Sequence, residues 1–323
     1  GLVLLEDAVR AISGLILLVR GCMVGDDTVT IWSIDESRQP IRRVRLSRFP
    51  AGARICLIMG CMTPAERASA VAFALKNCAL EAMTPGDATM RAAAGYEQGD
   101  NDVSALIDAA DRETSGIVSG RLADGSLDDH ATDHASSVFA RTVLLAERRW
   151  NPSGDIAELI AIHRGLFDGV FSDAGQLRTS NVTREVTDKR HQAKNPEAFF
   201  PAQLIETGAL NISTELADKR NLDNLDRGVF VRELAHVYDE LGYLHPFKGG
   251  NAMTLRIFAS RLAHDAGWDL DWGGVTRESY KQAKHAAYRG DINAFSQMFA
   301  DIVRPANPTR VFLIAGWEQG PAH

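Results

Sequence analysis

Residues 245–256 read His245-Pro-Phe-Lys-Gly-Gly-Asn-Ala-Met-Thr-Leu-Arg256 and join two stretches with helical spacing of apolar residues. Pro246 prevents the first helix from continuing and favours an extended conformation at His245. The pair Gly249 and Gly250 allows a tight turn and a close approach of the backbone to a ligand. The segment therefore predicts a glycine-rich turn between two packed helices.

The residue after the glycines, Asn251, is a good N-cap for the second helix. The unpaired N–H groups at the start of that helix would face the turn and favour an anion, so we predict a phosphate site here. Arg256 can add a bidentate contact to the phosphate, and Lys248 adds a second cation. A purely structural turn, with His245 as an ordinary half-buried histidine, is the alternative on the residues alone.

Helical spacing continues through most of the chain after residue 136. Residues 230–244 place apolar side chains on one face and lead directly into the glycine-rich turn. The helices predicted from this spacing cover residues 138–150, 156–167, 230–244, 254–266 and 279–303.

The beginning of the chain has a different pattern. Short β-branched runs separated by turn residues predict strands at residues 28–34, 41–46 and 54–59. A helix then begins with Thr63 as N-cap and Glu66 completing a capping box, and it is predicted to end near residue 83.

Two segments rich in turn-forming residues, 84–101 and 121–135, are predicted linkers. The sequence therefore predicts a mostly α protein with three parts. These are a smaller α+β N-terminal domain of unknown role at 1–130, an all-helical domain at 136–305 and a C-terminal extension at 306–323.

Composition excludes some classes of function. Thirty-five Lys and Arg against 42 Asp and Glu give a net charge of −7, which argues against a nucleic-acid partner. Four cysteines confined to the first 78 residues indicate reduced thiols and a cytoplasmic protein. Charged residues interrupt the apolar first 24 residues, so we expect neither a membrane span nor a signal peptide there. His130 and His134 have helical metal-ligand spacing, but a solvated acidic segment is the favoured interpretation.

Several blocks of the chain, in order, resemble the Fic-domain family. The family signature, H-x-F-x-[D/E]-[G/A]-N-[G/K]-R-x-x-R, is matched at His245, Phe247, Gly250, Asn251 and Arg256. Three further blocks agree with the family over residues 136–305. They are Ile162-His163-Arg164 through Ala174-Gly175 to Arg178-Thr179, the flap-like segment at 198–205, and Gly267 to Trp272.

The resemblance implies an all-helical Fic fold and transfer of AMP from ATP to a hydroxyl of a target protein. In that chemistry the histidine, here His245, takes the proton from the hydroxyl. The turn residues Gly249, Gly250 and Asn251, with Lys248 and Arg256, would bind phosphate. A flap that includes Phe199, Phe200, Pro201 and Ile205 would align a substrate segment by strand-like pairing.

The signature is incomplete at three positions. Gly249 stands where the family has the acidic residue that holds Mg²⁺, Ala252 stands where Gly or Lys is usual, and Met253 replaces the first arginine. We therefore predict weak or metal-independent transfer. The family's self-inhibiting helix, [S/T]-x-x-x-[E/D]-[G/N], has no sequence match, and with Met253 present such a helix would have little to bind.

Three functions remain open at this point. The first is a Fic-like transferase of altered chemistry that uses His245 and a phosphate-bearing donor such as ATP on a Ser, Thr or Tyr hydroxyl. The second is a non-catalytic binding module. The third is an enzyme of another class that acts on a small-molecule substrate in the same pocket.

Overall fold

The computed structural model describes residues 22–25, 28–32, 40–45, 62–114, 134–147, 150, 153–182 and 199–306. Outside them lie the predicted strand at 54–59, most of the apolar N-terminal segment, His130 and all of the C-terminal extension except residue 306. The chain divides into two compact units, Gly1–Met62 and Thr63–His323.

The first unit contains a three-stranded antiparallel sheet. Its strands are β1 (Cys22–Gly25), β2 (Thr28–Trp32) and β3 (Pro40–Arg45), in the order β1-β2-β3. The register pairs Val24 with Val29 and Val29 with Val44. Strands β2 and β3 match two of the predicted strands to within two residues, and β1 was not predicted.

The second unit is mostly helical, which confirms the predicted fold class. The helices that the structure describes are α1 (Pro64–Ala79), α2 (Asp87–Gln98), α3 (Val103–Glu113), α4 (Ala135–Glu147), α5 (Ile156–Phe167), α6 (Ile205–Asp218), α7 (Arg227–Leu244), α8 (Asn251–Asp265), α9 (Arg277–Tyr288) and α10 (Asn293–Ile302). Two short antiparallel strands, β4 (Trp268–Leu270) and β5 (Val303–Pro305), join the regions after α8 and α10.

Helix α1 begins at the predicted capping box. The Thr63 hydroxyl accepts from the backbone N–H of Glu66 at 3.2 Å, and the Glu66 carboxylate accepts from the N–H of Thr63 at 2.6 Å. The helix ends at Ala79, four residues before the predicted end. Its early end leaves the next turn available for contacts with other helices.

Helices α1–α3 belong to the same compact unit as the later helices, and α1 and α3 pack on α4. Glu113, the last residue of α3, accepts hydrogen bonds from Thr89 at 2.6 Å and from Ser136 at 2.9 Å. The division of the chain therefore falls at residue 62 and not near residue 130, where the sequence placed it. The predicted linker at 84–101 is wrong because its alanine-rich middle forms α2, and Gly99 ends that helix in a left-handed conformation (φ 84°).

Two more predictions are corrected by the structure. The single helix predicted at 279–303 is interrupted after Tyr288 by Gly290 (φ 84°), so it forms α9 and α10. His134 precedes α4 and is 3% exposed, so it does not lie in a solvated segment. Helix α5, by contrast, has the predicted bounds.

Helix α8 is the centre of the second unit. Every residue from Met253 to Ala263 is buried, as expected for a helix that is surrounded by others. It packs against α5, α7 and β4. Its N-terminus is the end that meets the glycine-rich turn, so this buried helix fixes the position of the candidate site.

Candidate active site

His245 lies directly after α7 in a left-handed conformation (φ 45°, ψ 61°), not in the predicted extended one. Its ring is half-buried and stacks on the ring of Phe199, with 3.9 Å between the centroids. Pro246 disfavours a right-handed helical conformation at the preceding residue, and the left-handed one ends the helix within a single residue. The imidazole is thereby turned toward Asn251.

The side chain of Asn251 determines where the His245 ring carries its proton. The Asn251 Oδ1 accepts from the backbone N–H of Phe247 at 3.0 Å, and Nδ2 donates to the Phe247 carbonyl at 2.7 Å. These two bonds fix the amide, so Nδ2 is also the donor in its 3.1 Å contact with His245 Nε2. In the neutral ring the lone pair of His245 therefore lies on Nε2, where it accepts the Asn251 N–H, and a substrate hydroxyl must displace this contact before it gives its proton to Nε2.

Asn251 is the first residue of α8 and not its N-cap, which corrects the sequence interpretation. The N-cap is Gly250, which has φ 71° and no side chain to satisfy the N–H groups of the first turn. A Cβ at Gly250 would lie 2.2 Å from Phe167 Cε2. Glycine is therefore required for both conformation and space, and the backbone N–H groups that begin α8 form the surface predicted to bind phosphate.

His163, on α5, supports the turn from beneath. Its Nδ1 accepts from the N–H of Gly175 at 2.8 Å, so the proton lies on Nε2 and is donated to the Gly249 carbonyl at 3.1 Å. The ring also stacks on Phe247, with 3.9 Å between centroids. Burial lowers the pKa of His163 from 6.5 to about 4, so the ring is neutral at physiological pH.

The residues around the turn do not fit a Mg²⁺ site of the family type. Gly249 offers no carboxylate, and the carboxylate of Asp173 beside the turn is paired with Lys248 (Oδ2 to Nζ 3.1 Å). Among the residues that the structure describes, no group of three or more His, Cys, Asp or Glu side chains could hold a metal ion. Both partners of the Lys248–Asp173 pair are partly exposed, so Lys248 remains available near solvent.

Arg256, the predicted phosphate ligand, is bound by the end of α1. It is 1% exposed, and its Nε donates to Asn77 Oδ1 at 2.6 Å while its Nη2 donates to Glu81 Oε1 at 2.8 Å. The guanidinium also lies over the ring of Tyr280, with 5.0 Å from Cζ to the centroid. Burial alone would lower the pKa of Arg256, but the attraction and hydrogen bond of Glu81, together with the attraction of Tyr280 and Tyr238, outweigh burial and raise the pKa.

An acidic residue therefore does hold the second arginine of the signature, although no sequence match to a self-inhibiting helix exists. Asn77 and Glu81 have the spacing of that motif, but Asn77 replaces Ser or Thr and Ala82 replaces Gly or Asn. Met253 provides no charge for an acidic residue to bind, but Arg256 does, and Glu81 pairs with it. We call Asn77, Glu81 and Arg256 the Arg256 cluster.

The predicted flap residues differ in accessibility. Phe199 is buried against the His245 ring. Phe200 is half-buried, and its backbone N–H donates to the Tyr243 carbonyl at 3.1 Å. Pro201 is exposed. Ile205 is 1% exposed at the start of α6, so it supports the flap from inside and cannot contact a substrate directly.

Hydrogen bonds to Asn181 and Val182, which we call the flap base, hold the flap at Phe199 and Ala202. The N–H of Phe199 donates to the carbonyl of Val182 at 2.9 Å, and the N–H of Ala202 donates to Asn181 Oδ1 at 2.9 Å. Arg178 contacts both sides of this base and the end of α7. His163 and Arg178 lie in blocks that match the family, but their positions in the sequence indicate no role for them, and no sequence pattern points to Glu81.

The comparisons agree with this arrangement. The sequence model of the Fic/DOC family matches residues 154–263. A protein of Escherichia coli (strain K12) named "Probable protein adenylyltransferase Fic" is 33% identical over 151 residues, which cover 47% of this chain and 70% of that protein. This chain belongs to the Fic/DOC family. A protein of the same name from Salmonella typhimurium (strain LT2) is 34% identical over 154 residues, which cover 48% of this chain and 72% of that protein.

A solved Fic structure is also similar to this chain. It is the BepC protein, a VirB-translocated effector from Bartonella tribocorum with bound AMPPNP, at 26% identity and a TM-score of 0.47. The match covers 53% of this chain and 84% of BepC.

Membership in the Fic/DOC family confirms the resemblance read from the signature. The family match extends from the residues before α5 to near the end of α8, and it includes His163, Arg178, His245 and Arg256. Helices α1–α3 precede the matched region, and so do Asn77, on α1, and Glu81, in the turn after α1. In the described parts of the chain, every helix is too short or too polar to cross a membrane.

Proposed function

We propose that this protein transfers AMP from ATP to a hydroxyl group of a target protein, with His245 as the general base. Relatives that match most of their own length to this chain are named protein adenylyltransferases. The observation that carries the proposal is the fixed lone pair on His245 Nε2 beside the N-terminus of α8.

In the proposed reaction, His245 Nε2 takes the proton of the target hydroxyl as its oxygen attacks the α-phosphorus of ATP. A new oxygen–phosphorus bond forms, the bond to the β-phosphate breaks, and pyrophosphate leaves. Asn251 keeps Nε2 unprotonated beforehand, and the N–H groups at the start of α8 stabilise charge on the phosphate oxygens.

Transfer by the protein in this state should be weak. Arg256 is held by Glu81 and so does not reach an outer phosphate. Met253 provides no charge, and Gly249 provides no ligand for Mg²⁺. Lys248 is then the remaining cation of the turn, so the activity that survives should not depend on a divalent ion.

A non-catalytic binding module is the second candidate function. The loss of two charged groups at Gly249 and Met253 favours it, because both groups act on the transferred phosphate in the complete signature. In that case the Fic fold would be retained for the flap and its partner.

The experiment that tests the proposal uses Glu81→Gln protein, in which Arg256 loses its ion pair with Glu81 and keeps its bonds to Asn77. This protein is incubated with ATP labelled at the α-phosphate and with cell extract, with and without EDTA. The catalytic variant adds His245→Ala, and the matched control adds His236→Ala, since His236 is a partly exposed histidine on α7 that pairs with Glu215.

Labelled protein that disappears with His245→Ala and persists with His236→Ala supports the transferase. If no protein is labelled in the Glu81→Gln background, or if label is independent of His245, the transferase proposal fails. Unchanged recovery of a partner by the His245→Ala variant, without labelling, would support the binding module instead.

A further inference from the structure

One buried arginine connects the flap with the end of α7. Arg178 is 2% exposed, and among the described residues its guanidinium has no carboxylate partner. Among these residues it donates only to backbone carbonyls, and burial lowers its pKa. A buried cation satisfied in this way holds backbone segments in place without pairing with another charge.

Two of its acceptors are the last carbonyls of α7. Nε donates to the carbonyl of His245 at 2.6 Å, and Nη2 donates to that of Leu244 at 3.2 Å. Carbonyls at a helix C-terminus lack partners within the helix and carry partial negative charge, which a guanidinium stabilises. The backbone N–H of Arg178 also donates to Pro246 at 2.9 Å, so three consecutive carbonyls around His245 are held by one residue.

The remaining acceptors lie on the two sides of the flap base. Nη1 donates to the carbonyl of Ser180 at 2.9 Å, and Nη2 also donates to the carbonyl of Phe200. Phe199, next to Phe200, stacks on the His245 ring. The same planar group therefore sets the backbone of His245 and the backbone of the segment proposed to align the substrate.

We propose that Arg178 is a positioning residue that fixes the distance between the flap and the imidazole of His245. The inference rests on the proposed function, because it assigns Arg178 to alignment of the target hydroxyl and not to binding of ATP. A planar fork can reach carbonyls from three segments at once, whereas a lysine ammonium has three donors on one atom and cannot span them. The left-handed backbone of His245 needs such support because an L-residue adopts this conformation only under local constraint.

The test compares Arg178→Lys and Arg178→Met in the Glu81→Gln background, with Arg232→Met as the control. Arg232 is an exposed arginine on α7. We expect kcat/KM for the target protein to fall about 100-fold with Arg178→Met, since a misplacement of about 1 Å between base and substrate has a cost of this size. Arg178→Lys should retain part of the rate, and ATP affinity should change less than threefold in both. Unchanged kcat/KM, or an equal loss of ATP affinity, would overturn the inference while leaving the proposed function intact.

A second measurement tests the inference even if Arg178→Met folds poorly or the Glu81→Gln protein transfers no AMP. Hydrogen exchange of residues 199–204 and the ring ¹⁵N shifts of His245 are measured in Arg178→Lys. Faster exchange in that segment together with shifted His245 signals, and unchanged exchange in α2, supports the positioning role. Native exchange and native His245 signals would overturn it, whether or not the parent protein transfers AMP.

Discussion

Replacing Glu81 with Gln separates two effects of the Arg256 cluster. The side chain keeps its size but loses the charge that binds Arg256 Nη2 at 2.8 Å. Asn77 still accepts from Nε at 2.6 Å and from Nη2 through its backbone carbonyl at 3.2 Å. We therefore expect Arg256 to stay folded into place but to become available to an incoming phosphate.

The expected size follows from the strength of a charge-assisted hydrogen bond, about 2 kcal/mol for a partner this well buried. A phosphate that must displace Glu81 loses this amount, so the Gln variant should bind ATP about 30-fold more tightly. The same change should lower the free energy of unfolding by about 2 to 3 kcal/mol, because Arg256 is 1% exposed and Glu81 provides its counter-charge.

Isothermal titration with ATP and urea denaturation measure the two quantities, with Glu240→Gln on α7 as the control. Lower stability without tighter ATP binding would refute the assignment of Arg256 to phosphate. Unchanged stability would refute the claim that Glu81 and Arg256 form a stabilising buried pair.

Three further changes have defined outcomes. Gly250→Ala should lower the free energy of unfolding, measured by urea denaturation, by about 3 kcal/mol, because the new Cβ would lie 2.2 Å from Phe167 and φ is 71°. The control Gly242→Ala, with open space in α7, should change the free energy of unfolding by less than about 1 kcal/mol. His163 binds a proton near pH 6.5 in the unfolded chain and near pH 4 in the folded protein, so the free energy of unfolding should fall by about 3 kcal/mol as the pH drops through that window. A His163→Gln variant with the same pH dependence would exclude this histidine as its cause. Gly249→Glu should make ATP affinity at least about tenfold higher in Mg²⁺ than in EDTA; equal affinities in calorimetry would contradict the alignment of the signature.

Helices whose ends are marked by local chemistry were predicted well from the sequence. The capping box at Thr63 and Glu66 and the bounds of α5 depend on residues within a few positions of each other. Errors arose where one residue type had two interpretations. Gly99 is typical of a linker, but here it ends α2. Gly290 lies within a stretch of helical apolar spacing, but it interrupts the helix between α9 and α10.

The candidate histidine and the turn could be predicted because they lie within one short segment. The groups that hold them could not, because their contacts join distant parts of the chain. Asn77 reaches Arg256 across 179 residues, and Arg178 binds carbonyls that every residue possesses. The sequence therefore does not show which carbonyls Arg178 binds, and its role is visible only in the folded protein.

Burial of the arginine in the Arg256 cluster determines how strongly the pair with Glu81 responds to ionic strength. Dissolved ions screen charges that face water, and the Lys248–Asp173 pair, with side chains 40% and 26% exposed, is accessible to them. Arg256 is not, since its guanidinium has almost no surface in contact with solvent. Concentrated salt should therefore weaken the ion pair at the turn well before it weakens the pair of Glu81 and Arg256, and a change in salt alone is a poor means of freeing Arg256.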